Sequence, residues 1–324
     1  MYTSSEILEK VEWAIENLPY DRTPYRLYEP IRYVLSLGGK RVRPVLMLLA
    51  YNLYKEDVEK AIPVALGVET YHNYTLLHDD VMDRAEVRRG KPCVHKVWDD
   101  NTAILSGDSM LVLAYQRVAQ CDAALLPAIL GLFTETALEI GEGQQYDLDF
   151  EDRIDVTEEE YIEMIRLKTS VLLACSLKMG ALLAGASAAD ADSLYRFGEK
   201  IGLAFQLQDD FLDVYGDFQT FGKKIGGDIL CNKKTFMLIN ALQKANETQR
   251  AELMRWIETT DYQPQEKVEV VTRLYDEIGV GAMARNKINS YYQEAAQCLA
   301  QVNLPQERKQ VLWEYAQSML GRKS

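Results

Sequence analysis

At 324 residues the chain is long enough to bury a substantial core, and 48% apolar with 26% charged residues is the make-up of a water-soluble globular protein. Its net charge of −13 weighs against nucleic acid as a partner, because phosphate backbones call for extended basic surface, yet leaves room for a small diphosphate held by a local cluster of cations. Cys93, Cys121, Cys175, Cys231 and Cys298 are odd in number, scattered and free of any C-x-x-C pair, which argues against a disulfide framework or zinc and for reduced thiols in a cytoplasmic protein.

No basic stretch followed by an apolar core opens the chain, so no secretory signal is expected. Apolar residues at three- and four-residue spacing predict helices over 4–17 and 24–37, the second ended by Gly38-Gly39. Pro44 suits the first turn of the next helix. Between them Lys40, Arg41 and Arg43 put three cations on a short connection beside exposed helix-end N–H groups, a setting that suits an anion. Pro63 marks the early turn of a helix that carries Glu69 through Asp83. The segment 86–92, with Arg88, Arg89 and Lys91, then breaks the helix. Helices are predicted again over 101–120 and 123–150, the latter holding the polar run Gly143-Gln144-Gln145-Tyr146-Asp147. Thr157 followed by Glu158, Glu159 and Glu160 makes a strong helix start for the segment carrying Lys168-Thr169. The most apolar window, 171–189, is interrupted by Lys178, Gly180 and Gly185, so it reads as a buried helix and not a membrane span. A helix over 190–215 precedes the glycine- and lysine-rich stretch 222–228, and another follows Asn232-Lys233-Lys234-Thr235. From Thr248 onward the chain is amphipathic helix punctuated near Pro264, Gly279–Gly281 and Pro305. With no alternating strand pattern of useful length and no linker, the expectation is one all-α domain.

Two stretches stand out. Leu76-Leu77-His78-Asp79-Asp80-Val81-Met82-Asp83 is echoed by Gln206-Leu207-Gln208-Asp209-Asp210-Phe211-Leu212-Asp213, each ending an apolar run with D-D-x-x-D. Residues four apart share a helix face, so Asp79 pairs with Asp83 and Asp209 with Asp213, while Asp80 and Asp210 point off that face. Like charges so placed repel unless a cation lies between them. Carboxylate clusters without Cys favour a hard cation such as Mg²⁺, which leaves room for substrate phosphates. His78 abuts the first motif but is assigned to structural hydrogen bonding, since Mg²⁺ prefers oxygen, and His72, three residues after Glu69, reads by itself as a helix histidine with a local partner. His95 is left unassigned.

These motifs, with the basic clusters around Lys40, Arg88, Lys223 and Lys233, resemble the trans-isoprenyl diphosphate synthases, the head-to-tail prenyl elongases that include farnesyl and geranylgeranyl diphosphate synthases. The resemblance runs from Gly38 to Thr235. It implies an all-α, single-domain helical bundle around a deep central cavity, the isoprenoid synthase fold, with a polyprenyl synthase domain over 1–324. It implies Mg²⁺ as cofactor, bound by Asp79, Asp80, Asp83, Asp209, Asp210 and Asp213, and a homodimer. By the same resemblance Lys40, Arg43, His72 and Arg89 bind isopentenyl diphosphate, and Arg88, Lys168, Gln206, Lys223 and Lys233 bind the allylic diphosphate. Lys168, Thr169 and Gln206 take catalytic roles at the developing cation, supported by Gln144 and Asp147. In such a reaction an allylic C–O bond ionises, the isopentenyl double bond attacks the cation, and a proton is lost, so the enzyme needs charge stabilisation and dry apolar walls instead of a nucleophile.

Side chains one to two turns before Asp79 form the floor of the product tunnel in that family. Here they are Tyr71, Tyr74 and Thr75, a pattern closer to the twenty-carbon synthases, with fifteen carbons close behind. A class I terpene cyclase is the rival enzyme, but it has no need of an isopentenyl pocket and usually carries a different second metal motif. A non-catalytic subunit of a heteromeric synthase is the rival outside catalysis; such subunits typically lose one aspartate motif, and both are present here.

Overall fold

The computed structural model describes residues 1–216 and 225–320. Helices dominate: α1 (Ser4–Glu16), α2 (Tyr25–Ser36), α3 (Val42–Asn52), α4 (Ile62–Met82), α5 (Val94–Val97), α6 (Asp100–Val118), α7 (Leu126–Glu151), α8 (Glu158–Ile165), α9 (Val171–Leu183), α10 (Ala188–Tyr215), α11 (Gly227–Leu230), α12 (Phe236–Lys244), α13 (Glu247–Glu258), α14 (Pro264–Ile278), α15 (Val280–Ala300) and α16 (Gln306–Leu320). The only sheet among the described residues is a hairpin of β1 (Val87–Arg88) and β2 (Lys91–Pro92). The architecture is all-α. Among the described residues no helix is long and apolar enough to cross a membrane.

Two compact units emerge, one of Met1–Thr134, Cys175–Leu194 and Asn303–Leu312, the other of Glu135–Ala174, Tyr195–Val302 and Trp313–Ser324. In the first, α3 is buried on every side from Pro44 to Asn52, as a helix apolar all round must be. One buried ion cluster ties this unit's early helices together. Arg41, 4% exposed and in a left-handed conformation at φ 48°, caps the start of α3. Its guanidinium bonds Glu12 of α1 at 2.9 Å, Glu69 of α4 at 3.0 Å and the Leu35 carbonyl of α2 at 2.7 Å. Asn73 donates to the same Glu69 carboxylate at 3.0 Å. The connection that presents Lys40 and Arg43 is therefore anchored at its centre by an inward-facing cation.

The second unit packs Phe150, Tyr161, Ile165, Leu207, Phe211, Phe236, Trp256, Leu274 and Tyr275 into one apolar core. Its helix α8 starts with the anticipated cap: Thr157 Oγ1 accepts from the Glu160 N–H, and the Glu160 carboxylate accepts from the Thr157 N–H at 2.9 Å. The continuous helix expected through Lys168 is interrupted, since Arg166–Ser170 forms a π-helical turn between α8 and α9.

Removing one member of a buried ion pair strands the other's charge. Glu69→Leu is expected to destabilise the protein by about 3–5 kcal/mol, with much of that loss recovered when Arg41→Met is added. Urea unfolding of the two variants checks this, and an unchanged midpoint for Glu69→Leu would rule out the anchor.

Candidate active site

In the first unit the acid motif forms the end of α4. The Asp83 N–H bonds the Asp79 carbonyl at 2.8 Å; Asp83 is exposed and Asp79 half-buried. Asp80, a residue further round the helix, is 4% exposed. Arg88 of β1 grips it, with Nε 2.9 and 2.8 Å from the two carboxylate oxygens and Nη2 at 2.7 Å. Burial disfavours the Arg88 cation, but its bonds to Asp80 more than offset this and raise its pKa. The hairpin turn places Arg89 and Gly90 at φ 51° and 76°, the pair of positive values that a tight two-residue hairpin requires. From there the Arg89 guanidinium donates to the Gly38 carbonyl and lies against Gly39.

Arg43, one residue beyond the start of α3, approaches His72 of α4 at 3.1 Å. An arginine can only donate, so His72 Nε2 accepts and the ring is neutral. Burial, then Arg43, Arg89, Arg88 and Arg41, hold the His72 pKa well below the usual range. Arg43 is drawn down to about 10 by burial, with Glu69 opposing and Arg89 adding, so it keeps its charge at neutral pH. Its Nε is buried without a partner among the described residues. Lys40 is exposed on the same connection. The group is an excess of positive charge around a neutral imidazole, suited to an anion.

On the same helix Tyr71 is 3% exposed and stacks tilted against Tyr74 at 5.5 Å and edge-on to Phe133 at 5.3 Å. Tyr74 is half-buried and meets the His78 ring at 4.8 Å. His78 donates from Nε2 to the Ile104 carbonyl at 3.2 Å. The Thr75 hydroxyl turns back to the His72 carbonyl at 2.8 Å.

In the second unit the π-helical turn carries Lys168 and Thr169. Two glycines let neighbouring helices close on it. A Cβ at Gly143 of α7 would lie 2.8 Å from the Leu167 carbonyl carbon, and one at Gly202 of α10 would lie 2.6 Å from Ser170 Cα. Lys168 Nζ then meets Asp147 at 2.6 Å. Burial works to raise the Asp147 pKa, but Lys233 and Lys168 outweigh it and hold the carboxylate below its usual value. Thr169 donates to Gln206 Oε1 at 3.3 Å, and Gln206 donates onward to Asp210 at 3.2 Å. The buried Tyr161 hydroxyl also donates to Asp210. Burial and the nearby Asp228 nonetheless push Asp210 up to about 7. Asp213, 7% exposed, accepts the Asp228 N–H at 3.0 Å through its carboxylate and the Gly226 N–H at 2.7 Å through its carbonyl.

The profile of the family described as Polyprenyl synthetase matches residues 24–278. The chain belongs to that family. It is 37% identical over 84% of its length to the short chain isoprenyl diphosphate synthase of Methanocaldococcus jannaschii, covering 82% of that protein. It is 41% identical to the geranylgeranyl diphosphate synthase of Methanosarcina mazei over 72% of this chain and 73% of the relative. A crystal structure of a geranylgeranyl pyrophosphate synthase superposes with a TM-score of 0.94 at 41% identity, with all of both chains covered. The all-α isoprenoid synthase fold and prenyltransferase activity expected of the sequence are thus those of its family.

Within each unit the expected site residues fall into groups. Asp80, Arg88, Arg89, Arg43 and His72 gather in one unit, and Asp147, Lys168, Thr169, Gln206 and Asp210 in the other. Gln144 is half-buried on α7, Asp209 half-buried on α10, and Lys233 exposed in the turn after α11. Lys223 lies outside the described residues. Sequence reasoning missed Tyr161, which sits in a helix whose only visible signal is its cap. It also missed Glu69 and Arg41 as an ion pair, although their positions flank the expected anion site.

An incoming diphosphate would offset the cations that depress His72. Its pKa is therefore expected to rise on adding pyrophosphate, so that the ring protonates at a higher pH than in the free protein. An NMR titration of the imidazole checks this; an unmoved midpoint would place the anion elsewhere.

Proposed function

We propose that the chain is a Mg²⁺-dependent head-to-tail elongase that condenses isopentenyl diphosphate with allylic diphosphates, and that its main product is geranylgeranyl diphosphate. The observation that carries this reading is the nest of Arg43, Arg88 and Arg89 around neutral His72, on the helix that ends in Asp79 and Asp83. Excess positive charge next to an acid-rich helix end is what a metal-bridged diphosphate chemistry requires. In this reading the whole chain, 1–324, is one polyprenyl synthase domain working as a cytoplasmic homodimer.

The donor chemistry fits Mg²⁺. The motifs offer only carboxylate oxygens, and among the described residues no three His, Cys, Asp or Glu converge into a ready-made cage. A cation that binds through one or two carboxylates plus substrate phosphates needs none. When bound, Mg²⁺ would supply charge neutralisation on the departing diphosphate. Asp79, Asp83 and Asp209 are the ligands in this reading, with Asp80 and Asp210 held back by their own partners and Asp213 tied to the turn that follows α10. Lys40, Arg43, His72 and Arg89 hold isopentenyl diphosphate. Lys168 and Lys233 neutralise the charge that develops as the allylic C–O bond breaks. Thr169 and Gln206 present oxygens to the allylic cation, and the departing diphosphate takes the proton lost after the isopentenyl double bond has attacked.

Tyr74 is the proposed tunnel floor. Tyr71 is locked in aromatic packing with Phe133, whereas Tyr74 is half-buried. The 5.5 Å Tyr71–Tyr74 contact favours a second reading in which both rings form a double floor and the product stops at fifteen carbons.

Incubation with isopentenyl diphosphate, Mg²⁺ and, separately, five-, ten- and fifteen-carbon allylic diphosphates is expected to yield a twenty-carbon product, and EDTA is expected to abolish turnover. Folded protein that elongates none of the three would sink the proposal. Tyr74→Ala is expected to shift the product beyond twenty carbons by chromatography of the dephosphorylated alcohols; an unchanged distribution would remove Tyr74 as the floor.

A further inference from the structure

Lys267 is an unusual core residue. It lies on α14, is 1% exposed and ranks among the largest fully buried side chains. Its ammonium is met by neutral groups: Asn232 Oδ1 at 2.7 Å and the Tyr262 ring, whose centroid is 4.4 Å away. Burying a cation is costly unless it is paired, and an apolar residue would fill the same volume without that cost. What the lysine supplies is direction.

Its target is a short, conformationally demanding segment. Gly226 and Asn232 stand at either end of α11 with φ of 81° and 53°, and Asn is among the few residues that tolerate the left-handed region. Consecutive residues of α14 clasp both ends. A Cβ at Gly226 would lie 2.6 Å from Val268 Cγ2, and Asn232 receives Lys267. Asn232 Nδ2 donates to the Ile257 carbonyl at 3.1 Å, and Tyr262 donates to the Leu230 carbonyl at 3.1 Å. Asp213 of the second acid motif receives the Gly226 and Asp228 N–H groups, and the Asp228 carbonyl receives the Lys233 N–H at 2.9 Å. One hydrogen-bonded segment thus runs from the acid motif to the backbone of Lys233, and Lys267 fixes it immediately before that residue.

We propose that Lys267 is a positioning residue for the allylic diphosphate, its buried ammonium holding Asn232 in the left-handed conformation that sets where Lys233 emerges. This rests on the reading that Lys233 binds the allylic group. Lys267 touches no substrate; it acts through the turn.

The test is steady-state kinetics of the full chain with Mg²⁺, varying geranyl diphosphate and isopentenyl diphosphate in turn. The variants are Lys233→Ala, Lys267→Met, Lys267→Gln, Asn232→Ala and the Lys267→Met/Asn232→Ala double. Lys267→Met and Asn232→Ala are each expected to raise the allylic KM about tenfold while the isopentenyl KM stays within about twofold. The double variant should be no worse than either single, and Lys267→Gln, which keeps a donor for Asn232, should recover most of the loss. If Lys233→Ala raises the allylic KM while folded Lys267→Met and Asn232→Ala do not, Lys267 has no positioning role. Both KM values shifting together with a fallen melting temperature would likewise reduce Lys267 to a structural residue. An allylic KM unmoved by Lys233→Ala would overturn the assignment of Lys233 and this inference with it. Wild-type protein without turnover would overturn the elongase reading instead. Should Lys267→Met fail to fold, Asn232→Ala alone decides, since it leaves the lysine in place.

Discussion

An α-helix turns by roughly 100° per residue, so two adjacent aspartates cannot both face the same way. In each D-D-x-x-D motif the second aspartate is forced inward: Asp80 and Asp210 are both 4% exposed. A buried carboxylate must be paired or neutralised, and much of the surrounding structure answers that demand. The two motifs answer it differently. Asp80 receives a full cation, Arg88, through both carboxylate oxygens. Asp210 receives the neutral donors Tyr161 and Gln206, and burial, with Asp228 nearby, pushes its pKa up to about 7.

Those partners explain why otherwise ordinary elements sit where they do. Arg88 comes from a two-residue strand, and the turn that makes the strand possible also throws Arg89 back to the Gly38 carbonyl. Tyr161 comes from α8, a helix of eight residues whose start is fastened by Thr157 and Glu160. Beyond α8 the chain takes a π-helical turn instead of continuing, which carries Lys168 to Asp147 and Thr169 to Gln206. Such turns are rare and occur mostly as single turns inside α-helices, frequently at functional sites. Here α7 and α10 approach it closely at Gly143 and Gly202.

Helix existence was legible because it rests on local periodicity: the expected 101–120, 123–150 and 190–215 appear as Asp100–Val118, Leu126–Glu151 and Ala188–Tyr215. The cap at Thr157 was legible for the same reason. The π-helical turn was not, because the close packing around it rests on glycines of other helices, and Gly143 and Gly202 look like ordinary helix interruptions until their neighbours are known. The hairpin at 87–92 was visible only as a break. Its two strands are too short to show alternation, and it requires a positive φ at Arg89, a residue type that gives no turn signal. That Asp80 and Asp210 point off the face shared by the other aspartates of their motifs followed from helical spacing alone. The identity of their partners did not, since Arg88 reads equally well as a diphosphate ligand and Tyr161 reads as nothing in particular.

The third aspartate shows how far a repeated motif can mislead. By spacing, Asp83 and Asp213 are the same residue in two copies. In the fold, Asp83 lies at the very end of α4, exposed, with its N–H closing the last helical turn. Asp213 is still two residues from the end of α10 and 7% exposed, and its carboxylate and carbonyl are both occupied by N–H groups of the segment that leads to Lys233. An exposed carboxylate at a helix end can swing to meet a cation. The buried Asp213, by contrast, is fastened to the turn through one carboxylate oxygen and its main-chain carbonyl. Identical letters thus sit in different surroundings, because one helix stops at its acid motif and the other continues past it.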